Sequence, residues 1–205
     1  QEWDEGAGPG MAAPGSALLI PGPGISGPSP GRRMRRSTVA RGFRGSETQT
    51  IDAKGRVSVP ASFRRVIEAG DPNWKSGERA NMVIVYGGRL QDHLKCYTLE
   101  GIEGIEKRIA RLKLGTTERK VMERLYHGQA CEVQIFEDGR IQLPQKLREK
   151  LGLTKQAFFI AASDKFLIYN PDDFSEQEDE VDSWLADQGP DFDPETMLPE
   201  LDDVE

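Results

Sequence analysis

The chain repeats itself. Gln49-Thr-Ile-Asp-Ala-Lys-Gly-Arg-Val-Ser-Val-Pro-Ala-Ser-Phe-Arg64 and Val133-Gln-Ile-Phe-Glu-Asp-Gly-Arg-Ile-Gln-Leu-Pro-Gln-Lys-Leu-Arg148 align without a gap at an offset of 84 residues. Ile51 meets Ile135, Gly55 meets Gly139 and Arg56 meets Arg140. Val57, Val59 and Pro60 meet Ile141, Leu143 and Pro144, and Arg64 meets Arg148. A fixed-period repeat means that one supersecondary unit is used twice, each copy needing the other to cover its apolar face.

Both copies have the same physical pattern. In the first, Thr48–Ile51 is a short strand, and Ala53-Lys54-Gly55 is a turn in which glycine is free to take positive φ. Arg56-Val57-Ser58-Val59 alternates polar and apolar, as a half-buried strand does. Pro60 suits the first position of a helix running to about Ala69, with Gly70 at its end. In the second copy the helix spans Pro144 to about Leu151, with Gly152 beyond it. A second hairpin follows each helix: Met82–Tyr86 with Leu94–Thr98, and Ala157–Ala162 with Phe166–Tyr169. The first copy is longer, through an insertion around Asp71–Arg79 and a longer hairpin loop.

Between the copies, Glu100–Leu112 and Thr117–Tyr126 read as helices split by Gly115, with Ile102, Ile105, Ile109 and Leu112 as an apolar stripe. The expected organisation is a disordered extension over 1–40, a first domain over 47–99, a helical spacer over 100–128 and a second domain over 130–173. An acidic helix over 174–187 and a disordered acidic tail over 188–205 complete it. The Gly- and Pro-rich first thirty residues lack the apolar pattern needed to offset ordering entropy, and Met34 offers a later start.

Charge is segregated. The net charge is −7, yet all 27 Lys and Arg lie between Arg32 and Lys165, where 16 acids leave a balance of +11. Beyond Phe166 there are 15 acids and no base. A basic body beside an acidic tail points to an anionic partner. Six arginines and no acid over residues 32–44 make an arm suited to phosphates, or simply a solvated linker. No apolar run approaches membrane-spanning length and Ala17–Ile20 is too short for a signal core, so the expected setting is the cytoplasm, at the nucleoid. Cys96 and Cys131 stand 35 residues apart, without the spacing of a zinc site. Neither His93 nor His127 belongs to a nucleophile or metal pattern, and no phosphate-cradling glycine loop occurs. The expectation is therefore a non-enzyme with no cofactor and no small-molecule substrate.

Asp52-Ala-Lys-Gly-Arg56-Val-Ser-Val-Pro60, followed by Phe63-Arg64, resembles the signature of the MraZ family, regulators of the bacterial division and cell-wall gene cluster. The likeness covers about Arg41–Asp173, including the second copy and the helices between. It implies an α+β fold, mainly β, of two swapped-hairpin AbrB-like units forming a pseudo-dimeric barrel. It also implies assembly of chains into a homo-oligomeric ring, and binding of double-stranded promoter DNA at direct repeats by a repressor. The family's Asp-x-x-x-Arg pattern is present as Asp52 and Arg56; the second copy keeps Arg140 but has Phe136 in place of Asp.

The expected DNA-binding residues are Asp52, Lys54, Arg56, Arg64, Arg140 and Arg148, with Arg41 and Arg44 from the arm. A guanidinium fork matches phosphate and guanine edges, and a carboxylate across a short loop can hold it in one rotamer. The competing reading of Asp52–Arg56 is a surface ion pair worth about 0–1 kcal/mol. The alternative function is an AbrB-type antitoxin whose acidic tail occupies a basic toxin. A small basic nuclease encoded next door would favour it, whereas a methyltransferase and cell-wall genes would favour the regulator.

Overall fold

The computed structural model describes residues 42–199, apart from the side chains of 176–179. The first copy contributes β1 (Ser46–Thr50), β2 (Arg56–Ser58), α1 (Ala61–Ala69), β3 (Asn81–Val85) and β4 (His93–Thr98). The spacer forms α2 (Leu99–Ala110) and α3 (Thr117–Glu123), the latter running into a π-turn over Arg124–Gly128. The second copy contributes β5 (Ala130–Gln134), β6 (Arg140–Gln142), α4 (Gln145–Lys150), β7 (Gln156–Ala162) and β8 (Lys165–Tyr169), and α5 (Pro171–Gln188) follows.

The strands form a six-stranded sheet in the order β1-β7-β8-β4-β3-β5 and a separate β2–β6 ribbon, every described pairing being antiparallel. The fold is thus α+β, as expected. The barrel does not close, however: among the described residues β1 and β5 are the outer strands of an open sheet. The reason lies in the first hairpin of each copy. After the single bridge Ile51–Val57, β1 leaves to pair with β7 while β2 pairs with β6, so the ribbon is not part of the sheet.

Partners across the two copies are reciprocal. Ser46–Thr50 pairs with Ile160–Gln156, and the matching Ala130–Gln134 pairs with Val85–Asn81. In the ribbon Arg56 faces Gln142, Val57 faces Ile141 and Ser58 faces Arg140, so the register is centred on Val57–Ile141. The β4–β8 register is centred in the same way on Lys95–Leu167. Just outside the ribbon, the Val59 amide donates to Gly139 O (3.0 Å) and the Leu143 amide to Gly55 O (3.0 Å), one bond being the other shifted by the repeat.

The apolar alternation seen in the sequence makes the core. Val57, Ile141 and Leu143 are fully buried where the copies meet. Phe63 and Ile67 point inward from α1, as does Leu147 from α4. Phe43, Phe63 and Phe166 form a ring cluster with centroids 5.0–5.4 Å apart. Pro60 and Pro144 do not open their helices: with ψ of 138° and 141° they are extended residues at the cap, one place earlier than expected. Thr98 and Thr116 cap α2 and α3 by accepting the amides of Gly101 (3.0 Å) and Arg119 (3.4 Å). The Arg119 guanidinium ties the two helices by donating to Ala110 O and Leu112 O.

After β8, Asn170 accepts the Asp172 amide and starts α5, whose Phe174 packs on Phe158 (4.3 Å) and Tyr169 (5.3 Å). Past Gln188, where a disordered tail was expected, the chain turns at Gly189, sets Phe192 edge-on to Trp184 (5.7 Å) and makes a short 3-10 turn over Pro194–Met197. The expected extension over 1–40 lies outside the described residues.

Candidate nucleic-acid interface

Pairing β2 with β6 sets the two hairpin tips at opposite ends of one short ribbon. Asp52 and Gly55 bracket the first: the Asp52 amide donates to Arg56 O (2.9 Å) and the Gly55 amide to Asp52 O (2.8 Å). Phe136 and Gly139 bracket the second with the same two bonds, Phe136 N to Arg140 O and Gly139 N to Phe136 O. Both glycines have φ of 77°, which L side chains adopt at a cost.

Asp52 organises the first tip. Its Oδ1 accepts the amides of Lys54 and Arg56, each at 2.9 Å, and its Oδ2 accepts Arg56 Nε at 2.8 Å. The Arg56 amide, with smaller contributions from the Arg56 guanidinium and the Lys54 amide, holds the carboxyl below its ordinary value against opposing desolvation. The two terminal amino groups of Arg56 have no partner among the described residues, and Lys54 is exposed at the apex. A rigid, half-exposed guanidinium fork and a free ammonium thus stand on a thin two-stranded ribbon, an arrangement able to enter a groove and meet phosphates or guanine edges.

Arg140 is not left unbraced, although Phe136 replaces its aspartate. The first copy's Asp52 Oδ2 lies 3.7 Å from Arg140 Nη1. Asp138 supplies the cap, accepting the Arg140 amide at 3.1 Å with a second oxygen 3.8 Å from Nε. Phe136 itself lies under the Arg79 guanidinium, 5.4 Å from the ring centroid, and Arg79 pairs with Glu137 at 3.2 Å.

Arg64 and Arg148 face the tips of the opposite copies. The Arg148 guanidinium lies against Gly55 and its Nε donates to Leu143 O (3.2 Å), while the Arg64 guanidinium lies against Gly139. Arg44 is exposed but sits before β1, at the other end of that strand from the tip. Arg41 lies outside the described residues. Of the seven expected residues that are described, six therefore converge on the ribbon and Arg44 does not.

Sequence reasoning missed Gln142, whose Nε2 donates to Lys54 O at 2.6 Å and clamps the first tip from the second copy. It also missed Glu137 and Asp138. The signal for these was available, since the repeat aligns them with Ala53 and Lys54 and so reverses the sign of the tip. Among the described residues no group of three or more His, Cys, Asp or Glu is placed to hold a metal, and no helix is long and apolar enough to cross a membrane.

A family model described as "MraZ protein, putative antitoxin-like" matches residues 127–188. The chain is 48% identical over 161 residues to the transcriptional regulator MraZ of Ruegeria pomeroyi, an alignment covering 78% of this chain and 96% of that protein. It is 46% identical over 144 residues to the protein of the same name from Cereibacter sphaeroides, covering 67% and 84%. With that of Azotobacter vinelandii it shares 32% identity over 130 residues, covering 63% and 80%.

Proposed function

The chain belongs to the MraZ family of transcriptional regulators, and on that premise we propose that it is a sequence-specific DNA-binding regulator, a repressor of the bacterial division and cell-wall gene cluster. The observation that carries this reading is the Asp52–Arg56 tip, where one carboxylate fixes a guanidinium with two bonds to backbone and one to Nε. A side chain already held loses less rotamer entropy on binding.

In this reading the two copies form a swapped-hairpin pseudo-dimer. It is supported by the reciprocal pairing of β1 with β7 and β5 with β3. The ribbon addresses the major groove of promoter DNA: Arg56 and Arg140 reach base edges or phosphates, Lys54 meets phosphate, and Arg64 and Arg148 set the tips. Arg41 and Arg44 add phosphate contacts from the arm. Chains associate into a ring on direct repeats, in the cytoplasm at the nucleoid, which the outer strands β1 and β5 favour.

The test uses the full chain on the DNA upstream of its own gene. Binding should fall steeply with salt and exceed binding to unrelated duplex of equal length. Arg56→Ala should remove the preference, and light scattering should find a multi-chain species. A stable monomer at micromolar concentration, or equal affinity for both duplexes, overturns the reading.

A second reading, an antitoxin-like module, is favoured by the eight acids of α5 and its exposed Val181 and Trp184. A small basic nuclease encoded next door that binds the full chain but not a chain lacking residues 171–205 would support it over the first.

A further inference from the structure

The two tips are matched in backbone and opposed in charge. Residues 52–56 carry Lys54 and Arg56 against Asp52, a balance of +1. Residues 136–140 carry Arg140 against Glu137 and Asp138, a balance of −1. Both tips have cations packed on them: Arg148 lies against the first, while Arg64 and Arg79 lie on the second, where Arg79 pairs with Glu137. Arg56 engages one carboxylate through Nε and leaves the rest of its fork open. Arg140 sits between two carboxylates, Asp52 at 3.7 Å and Asp138 at 3.8 Å. Gln142 clamps the Lys54 carbonyl, so the apex of the basic tip is held by a side chain of the second copy.

We propose that the tips divide the contact with DNA: the Lys54–Arg56 tip enters the groove, while the Glu137–Asp138 tip is held off the phosphates, so that each chain reads a duplex with one tip rather than two. This rests on the reading that the ribbon faces DNA, and narrows it: of the two ribbon arginines assigned to DNA above, Arg56 does the reading and Arg140 is withdrawn from the groove. Asp138 at the second apex is repelled by phosphate within a Debye length, Glu137 is engaged by Arg79, and Arg140, held between Asp52 and Asp138, presents less of its charge than Arg56 does. Asp52 thereby gains a second role as a positioning residue, pinning Arg56 through a direct hydrogen bond while drawing Arg140 toward itself. A frame with reciprocal strands but one working tip reads an element without internal two-fold symmetry.

The experiment measures fluorescence anisotropy of the full chain on 30-base-pair duplexes selected by that chain from a random pool, across a salt series. Arg56→Ala should weaken binding about 10-fold or more, and Arg140→Ala by no more than about threefold. Should Arg140→Ala unfold the chain, Arg140→Lys, which keeps the charge and loses the fork, takes its place. The double substitution Glu137→Gln with Asp138→Asn keeps an acceptor for the Arg140 amide and removes two charges. It should tighten binding about threefold or more at 50 mM salt and steepen the salt dependence as new phosphates are neutralised. The selected sequence should lack an internal palindrome. Equal losses at Arg56 and Arg140, unchanged affinity in the double variant, or a palindromic selected sequence overturns the division while leaving DNA binding intact. A wild-type chain that binds no duplex overturns both.

Discussion

Arg148 lies across Gly55, the turn glycine of the opposite copy, so closely that an ideal Cβ built there would meet Cζ and Nε at 2.7 Å. Arg64 and Gly139 repeat the relationship, with a built Cβ overlapping Arg64 Nη1. The helix arginine of each copy therefore closes the hairpin of the other. It can do so only because the turn residue, besides holding φ at 77°, has no side chain.

Two costs of substituting these glycines can be separated. A left-handed alanine costs about 1–2 kcal/mol, whereas a guanidinium at the end of a flexible chain can step aside cheaply. Gly55→Ala should therefore lower the unfolding free energy read from urea titration by about 1–2 kcal/mol, and Arg148→Ala added to it should restore almost nothing. Full rescue in the double variant would show that the clash, not the backbone, sets the cost.

The repeat made both hairpin-helix units, their turn glycines and their ribbon arginines readable before any coordinate. Which strand pairs with which was not readable: period-two alternation marks a face of β1 but is silent on whether β2 or β7 lies beside it. Arg64 and Arg148 were expected to face DNA because a helix arginine looks free in one dimension, and only the crossing of copies reveals the glycine beneath each. The alignment sets Phe136 where the first copy has Asp52, but it compares like positions and cannot show Asp52 reaching Arg140 from the other copy.

Asp52 sets a pH dependence. Its folded-state value is depressed, chiefly by the Arg56 amide, so its stabilising share is complete above the ordinary carboxylate value of 3.8 and is lost as pH falls through the lower folded one. Asp52→Asn, which retains an acceptor for both amides, should show a shallower fall in urea midpoint between pH 5 and 3 than the wild type. Parallel curves would mean that the charge at Asp52 contributes nothing to folding.

His93 should titrate in the same sense. Burial beside the Tyr169 ring, at 4.9 Å, depresses it below 6.5 although Asp92 lies 2.7 Å away and opposes the shift. The unfolded chain therefore binds this proton more readily, and stability falls as pH drops below 6.5. An imidazole resonance of His93 with a midpoint above that value would contradict the assignment.

Cys96 and Cys131 flank Ile84 from either side on β4 and β5. Burial pushes the Cys96 thiol well up, with Cys131 adding to it, and also raises Cys131. Since the thiolate is the reactive form, both should be slow toward iodoacetamide at neutral pH, Cys131 modified first and Cys96 only on unfolding. Rapid labelling of Cys96 in the folded chain would be incompatible with this packing.

The acidic C-terminus combines an anchored part with an unanchored one. Phe174 covers Phe158 and Tyr169, so deleting residues 171–205 should expose both rings and lower the melting temperature, each aromatic contact being worth about 0.5–1.5 kcal/mol beyond its area. Deleting 188–205 leaves that anchor in place, removes seven acids with no base among them and loses only the Phe192 edge on the exposed Trp184, so the melting temperature should fall by much less. What should change is DNA affinity. Seven carboxylates tethered to a body of balance +11 compete with phosphate for the same field. The competition extends over a Debye length, about 30 Å at 10 mM salt and about 8 Å at 150 mM. The shorter truncation should therefore tighten binding to unrelated duplex at low salt, with the difference closing as salt rises. An equal affinity of truncated and full chains at 10 mM salt would show that these carboxylates never reach the basic surface, and that the segregation of charge along this sequence has no bearing on DNA.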